Sequence, residues 1–149
     1  MEYDGEPVAD VVVRYNGRLR GVTIDGGNIA AGIDEIPALS LLGCLADGKF
    51  VVSGASELRV KESDRLSAMV ANLKAAGANV NEKPDGYEIE GHKHLKGASI
   101  WQTFGDHRLA MTGLIANLIC QEPLAIDDTL CVAVSYPTFI EDLNRLLIV

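Results

Sequence analysis

Two stretches of helix length carry no charge, and each begins just after a group of ionisable residues. The first follows Asp34 and Glu35 and stays uncharged through Ala46; the second follows Asp106, His107 and Arg108 and stays uncharged until Glu122. Each leads to a short apolar segment, Phe50–Val52 or Leu124–Ile126, and then to a second, capped amphipathic helix. A series that recurs in this way predicts a repeated βαβαββ module, an α/β architecture in which sheet and helices stack.

The remaining punctuation fills in the series. Val11–Tyr15 and Leu19–Ile24 read as strands joined by a hairpin turn at Asn16-Gly17. Ile36–Leu45 reads as a mostly apolar helix stopped at Asp47-Gly48. Leu66, Met69, Val70 and Leu73 share one helical face, so Ser63–Ala76 is expected to be an amphipathic helix ending at Gly77. Ala78–Asn81 and Tyr87–Glu90 should pair around Pro84-Asp85-Gly86, and Ser99–Gln102 should form a short strand. A helix is expected from His107 to Cys120, and a last one, capped by Ser135, should turn Phe139, Ile140, Leu143, Leu146 and Leu147 inward.

Composition excludes several function classes. A net charge of −8 opposes binding to nucleic acid or an anionic membrane, so an anionic ligand would need locally clustered cations. Cys44, Cys120 and Cys131 show no metal-type spacing, and free thiols fit a reducing, cytoplasmic setting. The segment shows no secretion leader and no apolar run of membrane-spanning length. His92 and His94 sit beside Lys93 and Lys96 with no third or fourth ligand near them, so a solvated loop is expected rather than zinc. Trp101 and Phe104 are isolated and read as packing residues.

Charge is concentrated at helix entrances. Acidic residues there need no function, since they cap free N–H groups and complement the macrodipole. Arginines in a first turn face the positive helix end. Arg65 and Arg108 therefore suit an anion bound jointly by guanidinium and helix N–H groups. Spacing leaves the alternative open: ordinary surface pairs, Glu62 with Arg65 and Asp106 with Arg108.

The string RVKESDRL at 59–66 resembles a signature of the 5-enolpyruvylshikimate-3-phosphate (EPSP) synthase family. GDHRLAM at 105–111, DEIP at 34–37 and SYPTF at 135–139 resemble three further segments of that family, in the same order. The resemblance implies an enolpyruvyl transferase fold of two domains, each built from βαβαββ units. It implies transfer of the enolpyruvyl group of phosphoenolpyruvate to the 5-hydroxyl of shikimate 3-phosphate through a tetrahedral adduct, with release of phosphate and no cofactor or metal.

Carried over by position, Glu62 resembles the acid/base at the methylene carbon. Asp34 resembles the carboxylate that binds the shikimate hydroxyls and takes the 5-hydroxyl proton. Arg65 and Arg108 resemble the clamp on phosphoenolpyruvate, with Lys61 and His107 beside them; Lys61 is expected to touch shikimate 3-phosphate as well. Val134 departs from the pattern, because many family members carry a lysine there.

Met1 opens onto a polar stretch and a strand with no preceding partner, so residues 1–149 read as the C-terminal part of such an enzyme, lacking its N-terminal domain. That domain is then an expected partner, and the chain alone is expected to be inactive. A relative acting on UDP-N-acetylglucosamine and a free-standing small-molecule binding module are the alternative readings.

Overall fold

The computed structural model describes residues 2–3, 5–14, 16–91 and 94–147. A small antiparallel ladder joins β1 (Glu2–Tyr3) to β2 (Glu6–Pro7). Beyond it, β3 (Thr23–Ile24), α1 (Gly26–Gly32), α2 (Ile36–Leu45), β4 (Lys49–Val52), α3 (Arg65–Ala75), β5 (Asn79–Lys83) and β6 (Gly86–Glu90) follow in order. β3 runs parallel to β4, β4 antiparallel to β6, and β6 antiparallel to β5, giving one sheet in the order β3-β4-β6-β5. Apart from the extra turn of α1, this is one complete βαβαββ unit. A second begins with β7 (Ile100–Trp101), α4 (His107–Ala116), β8 (Ala125–Ile126) parallel to β7, and α5 (Phe139–Leu147).

Local chemistry explains the boundaries. Asp64 caps α3 by accepting from the Ser67 N–H at 3.0 Å, and Gly77 takes the left-handed φ of +94° that ends it. Leu66, Met69, Val70 and Leu73 are all buried by at least 97%, as the 3.6-residue period requires. Asn117 ends α4 by turning its amide onto Leu124, accepting from its N–H at 2.6 Å and donating to its carbonyl at 3.2 Å. That contact stops the helix short of the expected Cys120 and sets the entry to β8.

Side chains from both units share one core, which includes Leu41, Phe50, Leu66, Tyr87, Trp101 and Leu109. Tyr87 is fully buried, with its hydroxyl 2.6 Å from Ser40 Oγ, which donates to the Ile36 carbonyl at 2.7 Å. Trp101 donates from Nε1 to the Leu109 carbonyl at 2.9 Å, so the indole closes a hydrogen bond as well as filling space.

Two expectations fail. The hairpin over Val11–Ile24 does not form among the described residues (Tyr15 lies outside them). Val11, Val12 and Val13 are 84%, 75% and 89% exposed, and Leu19–Ile24 pairs instead with the chain around Asp47–Ser53. Asn16-Gly17 makes only a local turn, with the Arg18 N–H on Asn16 Oδ1 at 3.2 Å. The last helix begins at Phe139, with Thr138 rather than Ser135 at its start: Thr138 Oγ1 donates to Asp142 Oδ2 at 2.8 Å. None of its residues is buried, and Leu146 is 75% exposed. The amphipathic stripe is real, but it is poorly covered: Phe139 at its start lines a recess with Arg108 and Met111 of α4, while Ile140, Leu146 and Leu147 stay exposed. No single helix among the described residues is long and apolar enough to cross a membrane.

Packing of α2 on β4 is tight at one point. A Cβ added to Gly43 would stand 2.5 Å from the Phe50 ring. Gly43→Ala should therefore lower stability by about 1–3 kcal/mol, the usual penalty of overpacking. Gly26→Ala, where a new methyl meets nothing within 4 Å, should stay within about 0.5 kcal/mol. Urea midpoints at unchanged m-value check both; equal midpoints for the two variants would refute the account.

Candidate active site

Three helix entrances converge: those of α2, α3 and α4. Arg65, in the first turn of α3, is only 2% exposed and threads its side chain between the other two. Its Nε donates to Asp106 Oδ2 at 2.7 Å and its Nη1 to Asp34 Oδ1 at 2.8 Å. Its Nη2 donates to Glu62 Oε2 at 2.5 Å and to Asp106 Oδ1 at 3.3 Å. Arg108 approaches the same carboxylate from α4, with Nη2 3.2 Å from Asp34 Oδ2, Nη1 3.3 Å from the Asp34 carbonyl, and Glu35 Oε1 at 3.6 Å. Asp34, Glu62, Arg65 and Arg108, expected from sequence, are thus brought together.

Asp106 is fully buried and holds two elements at once. Its Oδ2 also accepts from Ser63 Oγ at 3.0 Å, and its Oδ1 accepts from the Arg108 N–H at 2.9 Å, capping α4. The turn before it delivers that carboxylate. The Asp106 N–H bonds to the Thr103 carbonyl at 2.9 Å across Phe104 and Gly105, both left-handed at φ +54° and +72°. A bulky residue with positive φ is disfavoured, and such strain persists only where the surroundings enforce it.

Burial alone would push the Asp106 carboxyl up; the hydrogen bond and charge of Arg65, then Ser63 and the Arg108 N–H, hold it below the usual carboxylate range instead. Burial would likewise weaken the charge of Arg65, and Asp106, followed by Asp34 and Glu62, keeps its proton held more firmly than usual. The carboxylates differ in freedom. Asp106 is enclosed, whereas the Asp34 and Glu62 side chains are 40% and 51% exposed. Only the latter two can turn aside for a ligand.

Of the other expected residues, Lys61 is turned away from this cluster. Lys61 is next to Glu62 in sequence but pairs with Glu57 at 2.8 Å, one helical turn back, rather than with Asp34 or the arginines. His107 is half-buried in the first turn of α4. His92 and Lys93 lie outside the described residues, while His94 lines a separate hollow of about 460 Å³ with Leu19 and Cys120. Among the described residues no group of three or more His, Cys, Asp or Glu is placed to hold a metal ion.

Two recesses flank the cluster. One, of about 410 Å³, is lined by Glu62, Ser63, Ala68, Ala71 and Phe104. The other, of about 180 Å³, is bounded by Asp34, Arg108, Met111 and Phe139. The open pairings considered from sequence resolve unevenly. Glu62 does pair with Arg65, but Asp106 pairs with Arg65 and meets Arg108 only through its backbone N–H. Nothing local in the sequence signals a partner 41 residues away.

The buried pair sets an acid response. Asp106 titrates below the ordinary carboxylate value of about 3.9. Its contribution to stability is complete above that value and is lost as pH falls through the lower, folded one. Asp106→Asn should therefore flatten the decline of the urea midpoint below about pH 4. Arg65→Met should cost about 3–5 kcal/mol at neutral pH, because it leaves a buried carboxylate without its cation. An acid limb as steep in Asp106→Asn as in the parent would overturn the assignment.

A family model described as EPSP synthase (3-phosphoshikimate 1-carboxyvinyltransferase) matches residues 1–143. The curated 3-phosphoshikimate 1-carboxyvinyltransferase of Geobacter sulfurreducens is 45% identical over 147 residues, covering 99% of this chain and 34% of that protein. The enzyme of that name from Aquifex aeolicus is 45% identical over 146 residues, again 34% of its length. Among solved structures, EPSP synthase from Acinetobacter baumannii superposes with a TM-score of 0.81 at 38% identity, over 86% of this chain and 30% of that one. The enolpyruvyl transferase NikO from Streptomyces tendae, at 20% identity and a TM-score of 0.71, shares the fold. The chain spans about a third of the length of the curated relatives it matches. By these matches, over a βαβαββ unit with arginines at its helix entrances, the chain belongs to the EPSP synthase family.

Proposed function

We propose that this chain supplies the phosphoenolpyruvate half of a 3-phosphoshikimate 1-carboxyvinyltransferase, as the C-terminal part of a domain whose counterpart, an N-terminal domain, binds much of shikimate 3-phosphate. The observation that carries the reading is the convergence of Arg65 and Arg108 on Asp34, with Glu62 on the same guanidinium. Two planar forks at two helix entrances suit a bidentate anion. On this reading, phosphoenolpyruvate takes the outward nitrogens of Arg65 and Arg108, and Asp34 and Glu62 turn away. Asp106 stays in place and keeps Arg65 aimed.

That exchange prepares both carboxylates. Glu62, freed from Arg65, faces the bound substrate as the acid that addition needs. Glu62 then gives its proton to the methylene carbon, and the 5-hydroxyl oxygen bonds to the adjacent carbon as its proton passes to Asp34. In the second half, Glu62 takes a proton back from the new methyl group as the carbon–carbon double bond re-forms, the carbon–oxygen bond to phosphate breaks, and phosphate leaves with the proton returned by Asp34. Lys61 joins the anion site when it releases Glu57, and His107 lines its edge. The residues named require no metal or organic cofactor for these steps. The three free cysteines fit a cytoplasmic enzyme.

Reconstituted with the complementary two thirds, the enzyme should release phosphate from phosphoenolpyruvate only when shikimate 3-phosphate is present. Glu62→Gln should reduce turnover about 10²–10⁴-fold, the scale of general acid–base catalysis. The chain by itself should release none, since the acceptor is not oriented. Titrating phosphoenolpyruvate into the isotope-labelled chain should move amides of Lys61–Leu66 and Gly105–Ala110 first. Normal turnover in Glu62→Gln, or shifts confined to the neighbourhood of His94–Lys96, would defeat the reading.

A further inference from the structure

Arg59 opens the RVKESDRL string, yet none of its side-chain partners belongs to the cluster around Arg65. Its Nε donates to the Pro84 carbonyl at 2.7 Å. Its Nη1 donates to Asp64 Oδ2 at 2.9 Å and Ser67 Oγ at 3.0 Å; its Nη2 donates to Glu82 Oε1 at 2.9 Å and the Lys83 carbonyl at 2.8 Å. All three nitrogens are engaged, and their partners lie on two separate parts of the chain: the entrance of α3 and the turn between β5 and β6. Glu82 reinforces the join by accepting from Ser67 Oγ at 2.7 Å.

The loop from β4 to α3 is fastened to that same hairpin turn at its other end. Gly54 N–H donates to Asp85 Oδ2 at 2.9 Å and Ala55 N–H to the Asp85 carbonyl at 2.7 Å. Between Arg59 and its partner Asp64 lie Val60, Lys61, Glu62 and Ser63. Leu58 is buried before them and Arg65 after them, but Val60 is 79% exposed, so no apolar anchor holds the apex. The Arg59–Asp64 contact closes the apex like a clasp, and the hairpin carbonyls fix where the clasp sits. A pair bridging two exposed side chains contributes little. A planar fork spread over two carboxylates, a hydroxyl and two carbonyls is different, because one rigid group then sets several distances together.

We propose that Arg59 is a positioning residue: it fastens residues 60–63 to the β5–β6 turn so that the Glu62 carboxylate stands at Arg65 and lines the adjoining recess. The inference rests on Glu62 being the acid/base group of the proposed function. Lysine cannot replace Arg59, because one ammonium cannot reach the carboxylate and carbonyl partners in the same geometry.

The test uses the complete enzyme. Arg59→Lys and Arg59→Ala should each lower kcat by about 10²-fold, the scale of a misplacement of roughly an ångström. The KM for shikimate 3-phosphate should be unchanged, and the limb of the kcat–pH profile that Glu62→Gln abolishes should move. Glu82→Gln, which keeps the acceptor oxygen but not its charge, should give a smaller fall in the same direction and serves if the Arg59 variants do not fold. In the isotope-labelled chain, backbone order parameters should drop over residues 60–63 in Arg59→Ala and hold along β6. If kcat per folded molecule and its pH profile are unchanged in these variants while Glu62→Gln is impaired, the positioning role is refuted and the proposed function stands. If Glu62→Gln itself turns over normally, the proposed function fails. Unchanged order parameters over 60–63 would then overturn the fastening on its own terms.

Discussion

The site depends on one dehydrated ion pair, Arg65 with Asp106. Taking both charges out of water is expensive, and the attraction repays it only when geometry is good and the remaining lone pairs are satisfied. Both conditions hold here. The guanidinium meets the two carboxylate oxygens through Nε and Nη2, while Ser63 and the Arg108 N–H use the remaining acceptor positions. The macrodipole acts in opposite senses on the partners, disfavouring Arg65 at the entrance of α3 and favouring Asp106 at the entrance of α4. The pair therefore links the two helices and offsets the unfavourable end of one with the favourable end of the other. Without it the Arg65 side chain loses its one fully buried partner.

The repeat gives this arrangement its chemical asymmetry. Asp34 and Asp106 occupy similar places in successive series, each just before an apolar helix. In the second series the strained turn through Phe104 and Gly105 drives Asp106 fully inside, where it caps α4 and binds Arg65. In the first, α1 precedes Asp34, and Asp34 stays 40% exposed and faces both arginines. Similar sequence positions thus yield one carboxylate locked as scaffold and one free to meet a ligand. Two carboxylates take different roles by environment rather than by identity.

What the sequence revealed was local. Helix faces with a 3.6-residue period, Asp64 and Asp106 as caps, the Pro84-Asp85 hairpin and the clustering of ionisable residues at helix entrances were all legible, because each signal spans a few residues. So was the family string at 59–66. Hidden were choices made at a distance. Val11–Val13 read as a strand by propensity but found no described surface to pair with or pack on. The stripe of α5 is amphipathic, yet propensity says nothing about what lies across it. Lys61 follows its neighbours in sequence but turns to Glu57, and the burial of Arg65 requires Asp106, which only the fold brings near.

Charge sets the final constraint on what this surface can do. The two arginines face Asp34, Glu35, Glu62 and Asp106, so the cluster is net negative with all six ionised. Val134, where many family members carry a lysine, is 82% exposed and adds no charge. A multiply charged anion placed here gains from two guanidiniums and loses to the carboxylates beside them. Turning Asp34 and Glu62 outward removes the closest repulsion, but the chain as a whole still carries −8. On the proposed function, cations beyond those two arginines are needed for firm binding. Lys61, released from Glu57, is the nearest in sequence, and on that proposal the rest come from the remainder of the enzyme. Binding of the anion and closure of the full enzyme around it would then be one event, because the charges that make the first favourable arrive with the second.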